Sequence, residues 1–373
     1  MKHEPTGNEQ VDLARIADAA ANRAREALRV LEDYCRFVLD DSFLSGELKS
    51  LRHDLAESLA PCQHFLEARD TQRDVGVNLT ASGEQDRQSL QAVVQANCKR
   101  LQEALRTLEE FGKIQSPELG TTVEQLRYRS YTLEKALILG AQSRQRLAEV
   151  RLCVLVSGSA CGEPGCASGE PGCVSAPRPI LEWTIKEAAA GGAGMIQLRE
   201  KSLSDREFLE RARKVRRWTR EADVLCIVND RPDIARLAEA DGVHLGQDDL
   251  PVREARRILG PDLVIGVSTH NLDQVRQAIL DGANYIGIGP TFPSATKEFG
   301  EFPGLDLVSR VMRETTLPAF VIGGVSQENI EKVTAAGGQR IAVGQAICQS
   351  PDPRRAAEEL VRVVRQASSR SQS

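Results

Sequence analysis

The sequence predicts a two-part α/β protein: an all-α helical bundle followed by a (β/α)8 TIM barrel. Two patterns predict it. Residues 11–148 carry apolar side chains every three or four positions with no strand-like alternation, the signature of amphipathic helices. From residue 150 onward, eight short β-branched runs alternate with helical stretches over about 215 residues, which fits a closed parallel barrel. A doubly wound sheet is the structural competitor, but the even spacing of the eight units favours closure.

In the helical part the first stripe comprises Leu13, Ile16, Ala17, Ala20, Ala24, Ala27, Leu28, Leu31, Tyr34, Cys35 and Val38. A second helix carries Leu48, Leu51, Leu55 and Leu59 before Pro61; a third runs through Leu90, Val94, Cys98, Leu101, Leu105, Leu108 and Phe111; a fourth through Val123, Leu126, Leu133 and Leu137. The segment repeats itself. Glu26-Ala-Leu-Arg-Val-Leu-Glu-Asp-Tyr34 returns 77 residues later as Glu103-Ala-Leu-Arg-Thr-Leu-Glu-Glu-Phe111, and Leu51-Arg52-His53 returns 75 residues later as Leu126-Arg127-Tyr128. Two helical hairpins about a pseudo-two-fold axis account for both. The sets Arg29/Glu32 and Arg106/Glu109 read as a solvated helix face.

The expected strands are Leu152–Val156, Met195–Leu198, Val224–Val228, Gly242–Leu245, Leu263–Val267, Tyr285–Ile288, Ala319–Ile322 and Arg340–Val343, with helices such as Asp205–Ala222 and Gln327–Ala336 between them. The expected domains are therefore a disordered start at 1–10, the bundle at 11–148, the barrel at 150–366 and a frayed tail at 367–373. A Gly/Pro/Ser-rich insertion at 157–179 repeats Gly-Glu-Pro-Gly-Cys. Its Cys161, Cys166 and Cys173 lack CxxC spacing and a nearby His, so it reads as a low-complexity surface loop and not as a metal clip.

Composition narrows the function. The 373 residues hold 48 Lys+Arg and 53 Asp+Glu, a net charge of −5, which argues against nucleic acid as a partner. No apolar run is long enough for a membrane span, and the polar N-terminus has no signal-peptide core. A cytoplasmic setting is expected, with Cys35, Cys62, Cys98, Cys153, Cys226 and Cys348 as buried hydrophobes. Small molecules are the expected partners, and a homo-oligomer is compatible.

The strand ends carry the chemistry. After the second strand, Gln197-Leu-Arg199-Glu-Lys201 places an amide and two cations on one side, a set suited to a polyanionic phosphate. The third strand ends at Asn229-Asp230 and the fourth at His244-Leu-Gly-Gln-Asp-Asp249. Asp230 and Asp249, hard oxygen ligands beside that cation cluster, suggest Mg²⁺. Asp248 reads as a helix cap and His244 as structural. The fifth strand ends at Ser268-Thr269-His270; Ser268 offers a hydroxyl to the mouth, and His270 reads as a loop or capping residue more readily than as an acid or base. After the sixth strand come Ser294, Thr296 and Lys297, hydroxyls and a cation fit to grip phosphate. Gly323-Gly324 and Gly344-Gln345 follow the last two strands, and glycine there allows backbone amides close to an anion.

In this order and spacing, Gln197-Leu-Arg-Glu-Lys201, Asn229-Asp230, His244-Leu-Gly-Gln-Asp-Asp249, Gly266-Val-Ser268, Gly289-Pro-Thr-Phe-Pro-Ser-Ala-Thr-Lys297 and Ile322-Gly-Gly324 resemble the thiamine phosphate synthase family over about residues 150–365. The resemblance implies a transferase that joins 4-amino-2-methyl-5-hydroxymethylpyrimidine diphosphate to 4-methyl-5-(2-phosphoethyl)thiazole, giving thiamine phosphate and pyrophosphate. By that resemblance Gln197, Arg199, Lys201, Asn229, Ser268 and Lys297 hold the pyrimidine diphosphate, with Arg199, Lys201 and Lys297 neutralising the leaving group. Asp230 and Asp249 hold Mg²⁺. Ser294, Thr296 and Gly324 face the thiazole phosphate, with Gly344 and Gln345 standing where the family has a Val-Ser or Ile-Ser pair. The alternatives are a thiazole tautomerase-like barrel and a thiamine-precursor-binding regulator.

The N-terminal helices resemble a domain fused to some bacterial members, through Asn22-Arg23-x-Arg25-Glu26-x-x-Arg29-x-x-Glu32-Asp33, Leu51-Arg52-His53 and Arg69-Asp-Thr71-x-x-Asp74-Val-Gly76. That resemblance implies phosphorylation of hydroxymethylpyrimidine phosphate; the alternative is scaffolding or dimerisation. No P-loop is present.

Overall fold

The repeat in the sequence becomes two helical hairpins, and the alternating runs become a closed barrel. We describe a computed structural model of the chain at residues 6–61, 68, 87–158, 180–293 and 303–370. Contacts divide it into two units, Met1–Ile138 and Leu139–Ser373.

The first unit contains α1 (Gly7–Phe37), α2 (Ser42–Leu59), α3 (Leu90–Gln115) and most of α4 (Pro117–Arg146). Helix α1 begins inside the stretch expected to be disordered, because Thr6 and Glu9 close a capping box in which the Thr6 amide donates to the Glu9 carboxylate at 2.7 Å. Asp41 and Ser89 cap α2 and α3 by accepting from Leu44 N and Ala92 N at 2.9 and 3.1 Å; such caps satisfy amides that the first helical turn leaves without partners. The α1 stripe is rich in alanine, and Ala17, Ala20, Ala21, Ala24 and Ala27 are buried with Leu28 and Leu31. Small side chains on that face allow α3 to pack closely, and α1 meets α3 and α2 along its length.

One expectation for this unit needs correction. The repeat glutamates are buried and do not line a solvated face: Glu32 is 4% exposed and Glu109 is 1% exposed. A charge removed from water needs partners. Arg52, from the following helix, reaches Glu32 at 3.3 Å, and Arg127, its counterpart in the repeat, reaches Glu109 at 2.7 Å. Arg106 and Lys113 add ion pairs to Glu109 at 2.6 and 3.1 Å. Arg29 and Arg106 themselves stay half exposed.

The second unit is a closed barrel of parallel strands in the order β1-β2-β3-β4-β5-β6-β7-β8. The strands are β1 (Leu152–Val156), β2 (Met195–Leu198), β3 (Leu225–Asn229), β4 (Gly242–Leu245), β5 (Val264–Thr269), β6 (Tyr285–Ile288), β7 (Ala319–Ile322) and β8 (Ile341–Val343). Around them lie α5 (Ile180–Ala190), α6 (Asp205–Glu221), α7 (Pro232–Leu237), α8 (Val252–Leu259), α9 (Leu272–Asp281), α10 (Gly304–Glu314), α11 (Ile330–Ala335), α12 (Gln345–Cys348) and α13 (Pro353–Arg370). Helix α13 continues into the tail expected to fray. The strands are buried on both faces, as parallel strands sheathed by helices must be.

The barrel interior is filled by Cys153, Met195, Ile227, Val264, Tyr285, Phe320 and Ala342, together with Leu147 and Val150. Leu147 is fully buried there. The sequence pattern assigns residues up to 148 to the bundle, yet from Leu139 the end of α4 belongs to the barrel unit. The Ser143 hydroxyl accepts from Asn284 Nδ2 at 3.0 Å, and Arg340 donates to Leu147 O. A helix stripe shows that a face is buried but not against what. The insertion residues 159–179, the Arg69–Gly76 motif and Cys62 lie outside the described residues.

Candidate active site

The site is built where β2 to β5 end. Gln197 is the third residue of β2, paired in register with Leu155 and Ile227, and buried. Arg199 follows the strand, tethered by its own amide to Val156 O at 2.9 Å, and is half-buried, whereas Lys201 is exposed. Glu200, between them, turns the other way and accepts from Arg211 at 2.7 Å and from the Gly158 amide at 2.8 Å. The alternation expected from the sequence therefore holds past the strand end.

Asn229 closes β3 and is buried; Asp230 follows with φ +64. Asp tolerates this left-handed conformation better than most residues. It turns the chain so that the Asp230 amide donates to His244 O at 2.8 Å. After β4, Asp249 accepts from the Gly246 amide at 2.6 Å. The two carboxylates face each other. Burial, and then the adjoining Asp249, push Asp230 up to about 6, with Arg199 and Lys201 pulling in the opposite direction. Two acids and two cations from three strand ends thus act on one another. Asp248 is exposed, and Pro251, not Asp248, stands at the start of α8; the capping role expected for it is absent.

Ser268 is half-buried at the end of β5, and its hydroxyl lies 2.9 Å from His244 Nε2. The other ring nitrogen, Nδ1, lies 3.0 Å from the Tyr285 hydroxyl. Burial pushes His244 down to about 4, so the ring is neutral at pH 7. His270 takes the loop role expected of it: its amide donates to Gln274 Oε1 at 2.7 Å and its Nδ1 meets Gly289 O.

The sequence readings missed Tyr285 as a site residue. A signal existed: β5 and β6 pair Gly266 with Tyr285, and a glycine opposite an aromatic marks a side chain folded across the backbone. A Cβ at Gly266 would overlap the Tyr285 ring.

Gly324 has φ +66, and a Cβ there would come within 2.8 Å of Pro293 O. The loop after β6 is laid against the end of β7 through Thr291 N to Ile322 O at 3.0 Å and Phe292 N to Gly323 O at 2.9 Å. Gly344 follows β8, and Gln345 is exposed at the start of α12. Ser294, Thr296 and Lys297 lie outside the described residues. The described site residues brought together are thus Gln197, Arg199, Lys201, Asn229, Asp230, Asp249 and Ser268.

Comparison with known proteins gives the family. A family model described as thiamine monophosphate synthase matches residues 173–347, and one described as the ThiD2 family matches residues 15–136. A thiamine-phosphate synthase of Synechocystis sp. is 40% identical over 351 residues, 94% of this chain and 95% of that one. One from Rhodopirellula baltica is 42% identical over 353 residues, 92% and 90% of the two chains. A solved thiamine phosphate pyrophosphorylase from Pyrococcus furiosus is 32% identical and covers 59% of this chain and 97% of its own, with a TM-score of 0.48. With this mouth, and with relatives that match nearly end to end, the chain belongs to the thiamine-phosphate synthase family of transferases.

Proposed function

We propose that the strand-end residues act as follows in the family's reaction, which joins a pyrimidinylmethyl diphosphate to a thiazole phosphate and releases pyrophosphate. Arg199, Lys201 and Lys297 receive the diphosphate. Gln197, Asn229 and Ser268 orient the pyrimidine. Ser294, Thr296, Gly324, Gly344 and Gln345 face the thiazole phosphate. The observation that carries this reading is the convergence of Arg199 and Lys201 on Asp230.

The donor set fits Mg²⁺. Asp230 and Asp249 are oxygen ligands held against each other, and a divalent cation between them relieves the repulsion that raises Asp230. Among the described residues no group of three or more His, Cys, Asp or Glu could hold a metal, so water and phosphate oxygens would complete its shell. Bound there, Mg²⁺ would supply charge neutralisation to the departing pyrophosphate.

The chain's own residues do the rest. Loss of pyrophosphate leaves a pyrimidinylmethyl cation stabilised by its 4-amino group, and the thiazole nitrogen captures it. That step needs charge neutralisation and positioning and no strong base. A tautomerase-like barrel would need a histidine free to move a proton. Both His244 nitrogens are engaged, its basicity is suppressed, and His270 Nδ1 meets a carbonyl; these observations favour the transferase.

A cytosolic setting is supported by the thiols of Cys98, Cys153 and Cys226, buried and pushed up to about 12 by burial. No helix among the described residues is long and apolar enough to cross a membrane. For the helical unit, the match to the ThiD2 family over residues 15–136 supports a kinase acting on hydroxymethylpyrimidine phosphate over a scaffold, and Arg87, Gln88, Gln95, Lys99 and Glu134 line an open groove there. The full chain, supplied with ATP and that monophosphate, would then form the diphosphate, and Lys99→Ala would lower the rate; no diphosphate would leave the scaffold.

The test of the barrel site is turnover of the full chain with both substrates and Mg²⁺. Lys201→Ala is expected to lower kcat by about 100-fold or more at an unchanged melting temperature. A near-parental rate would remove Lys201, and with it the phosphate reading of this strand end.

A further inference from the structure

Ser268 is held at two points by the segment that ends β4. His244 Nε2 lies 2.9 Å from its hydroxyl, and Gln247 Nε2 donates to its carbonyl at 2.5 Å. The same segment carries Asp249, folded back onto the Gly246 amide. The strand register explains why these groups meet. His244 and Tyr285 both pair with Gly266, one from β4 and one from β6. The glycine between them leaves room for their side chains to meet, and the Tyr285 ring fills the space a Cβ would take. Ser268 is two residues further along β5, on the same face as Gly266 and within reach of the far edge of the imidazole.

The imidazole cannot turn away. Tyr285 is packed edge-on against Phe320, with ring centroids 5.3 Å apart, and lies beside His244 at 5.5 Å. On β6, a Cβ at Gly287 would stand 3.3 Å from His244 Cε1, so the ring rests against that strand as well. Both ring nitrogens face hydroxyls, and burial keeps the ring neutral at pH 7.

A proton count then gives the bonds a direction. A neutral imidazole has one N–H, so one nitrogen donates while the other accepts. Among the described residues the geometry gives the Tyr285 hydroxyl one partner, His244 Nδ1, and Tyr285 is 2% exposed. A buried O–H without an acceptor is costly, so the phenol donates to Nδ1. Nε2 then carries the N–H and donates to the Ser268 oxygen. The opposite tautomer would leave the phenol proton buried with no acceptor and would draw the Ser268 proton inward to Nε2. With Nε2–H in place, the Ser268 proton is turned away from the barrel wall.

We propose that Tyr285 and His244 are positioning residues that hold Ser268 with its O–H directed into the mouth, as a hydrogen-bond donor to an acceptor atom of the pyrimidine diphosphate, either a ring nitrogen or a diphosphate oxygen. This rests on the assignment of Ser268 to that substrate. A free serine hydroxyl can rotate among three staggered positions. Here one direction is set before the ligand arrives, so no reorientation is needed on binding.

The test uses steady-state turnover of the full chain with Mg²⁺. Tyr285→Phe keeps the ring in its slot and removes only the oxygen, and it should lower kcat about 10-fold, the scale of one hydrogen bond. In a Ser268→Ala background the same substitution should change kcat by less than about twofold, because its effect passes through the serine. Loosened packing would act in both backgrounds alike, so equal losses overturn the proposal. Ring ¹⁵N shifts of the unaltered protein, assigned with His244→Gln, give a reading that needs no folded tyrosine variant: a proton on Nε2 supports the proposal, and a proton on Nδ1 overturns it. Binding of two probes, pyrophosphate with Mg²⁺ and the unphosphorylated pyrimidine alcohol, locates the acceptor. If Ser268→Ala weakens only the first, the acceptor is a diphosphate oxygen; if only the second, a ring nitrogen; if neither, the donor role is overturned. Parental kcat and KM in Ser268→Ala would sink the substrate assignment itself, whereas loss there with equal Tyr285→Phe effects in the two backgrounds refutes the positioning alone.

Discussion

A buried carboxylate, Glu109, and a half-buried one, Asp230, meet opposite fates in this chain. Burial pushes Glu109 up, but hydrogen bonds from Arg127 and Lys113 and the charge of Arg106 outweigh it and hold the group below the ordinary range. Asp230 is also pushed up by burial, its nearest partner is another acid, and it ends at about 6. The helical unit surrounds its acid with cations until nothing is left over. The barrel mouth leaves its acid pair short of positive charge. A carboxylate that is fully matched holds a fold together, whereas one left mismatched is poised for a ligand that brings the missing charge.

The largest effects are expected in turnover. Asp230→Asn is expected to lower kcat by about 100-fold or more while leaving the melting temperature of the metal-free chain unchanged or higher, since Asn also tolerates φ +64. Steady-state rates with thermal unfolding check this, and a lowered melting temperature with normal kcat would reverse the assignment. Glu109→Ala should do the opposite. It strands Arg127 among buried residues and should cost about 3 kcal/mol, read by urea unfolding, with thiamine phosphate formation by the remaining folded protein unchanged.

The pH dependence sharpens the contrast. The folded-state value of Asp230 lies above its ordinary 3.8, so its contribution to stability is present below about 3.8 and lost as pH rises through about 6. Glu109 lies below its ordinary 4.5, so its contribution is present above about 4.5 and lost as pH falls through the lowered value. In metal-free protein, Asp230→Asn should gain on the parent between pH 4 and 7, whereas Glu109→Gln should lose ground only as pH rises toward about 4.5 and stay at a constant deficit above it. Parallel pH trends in the two variants would end the comparison.

Smaller effects are expected where no charge is involved. Gly266→Ala forces the Tyr285 ring aside and should destabilise by about 1–3 kcal/mol, measured by thermal unfolding. Shortening the repeat-rich insertion at 157–179 should leave turnover within about twofold, because its composition argues against a packed core; matched loss of metal and turnover would overturn that.

Much of the mouth was legible in the sequence because it is local. Gln197, Arg199 and Lys201 sit two residues apart, and strand alternation alone sends them one way. Asn229-Asp230 and Asp249 directly follow strand runs. The hydrogen bonds of His244 were not legible, because His244, Ser268 and Tyr285 lie on three strands and only the register places Tyr285 across Gly266. The buried state of Glu32 and Glu109 was hidden as well: an Arg three residues away suits a surface pair equally well, and the deciding partners, Arg52 and Arg127, come from other helices.

The sequence by itself determined the helical repeat, the eight strands with five of them at the observed ends, and the charged residues beyond them, since periodicity, strand alternation and net charge are properties of neighbours along the chain. Only the folded chain shows that Leu147 and Val150, just past α4, pack into the barrel core, that Asp230 meets Asp249, and that a neutral His244 joins Tyr285 to Ser268. Burial and the choice of a polar group's partner depend on residues far apart in the chain, and these come together only when the barrel closes.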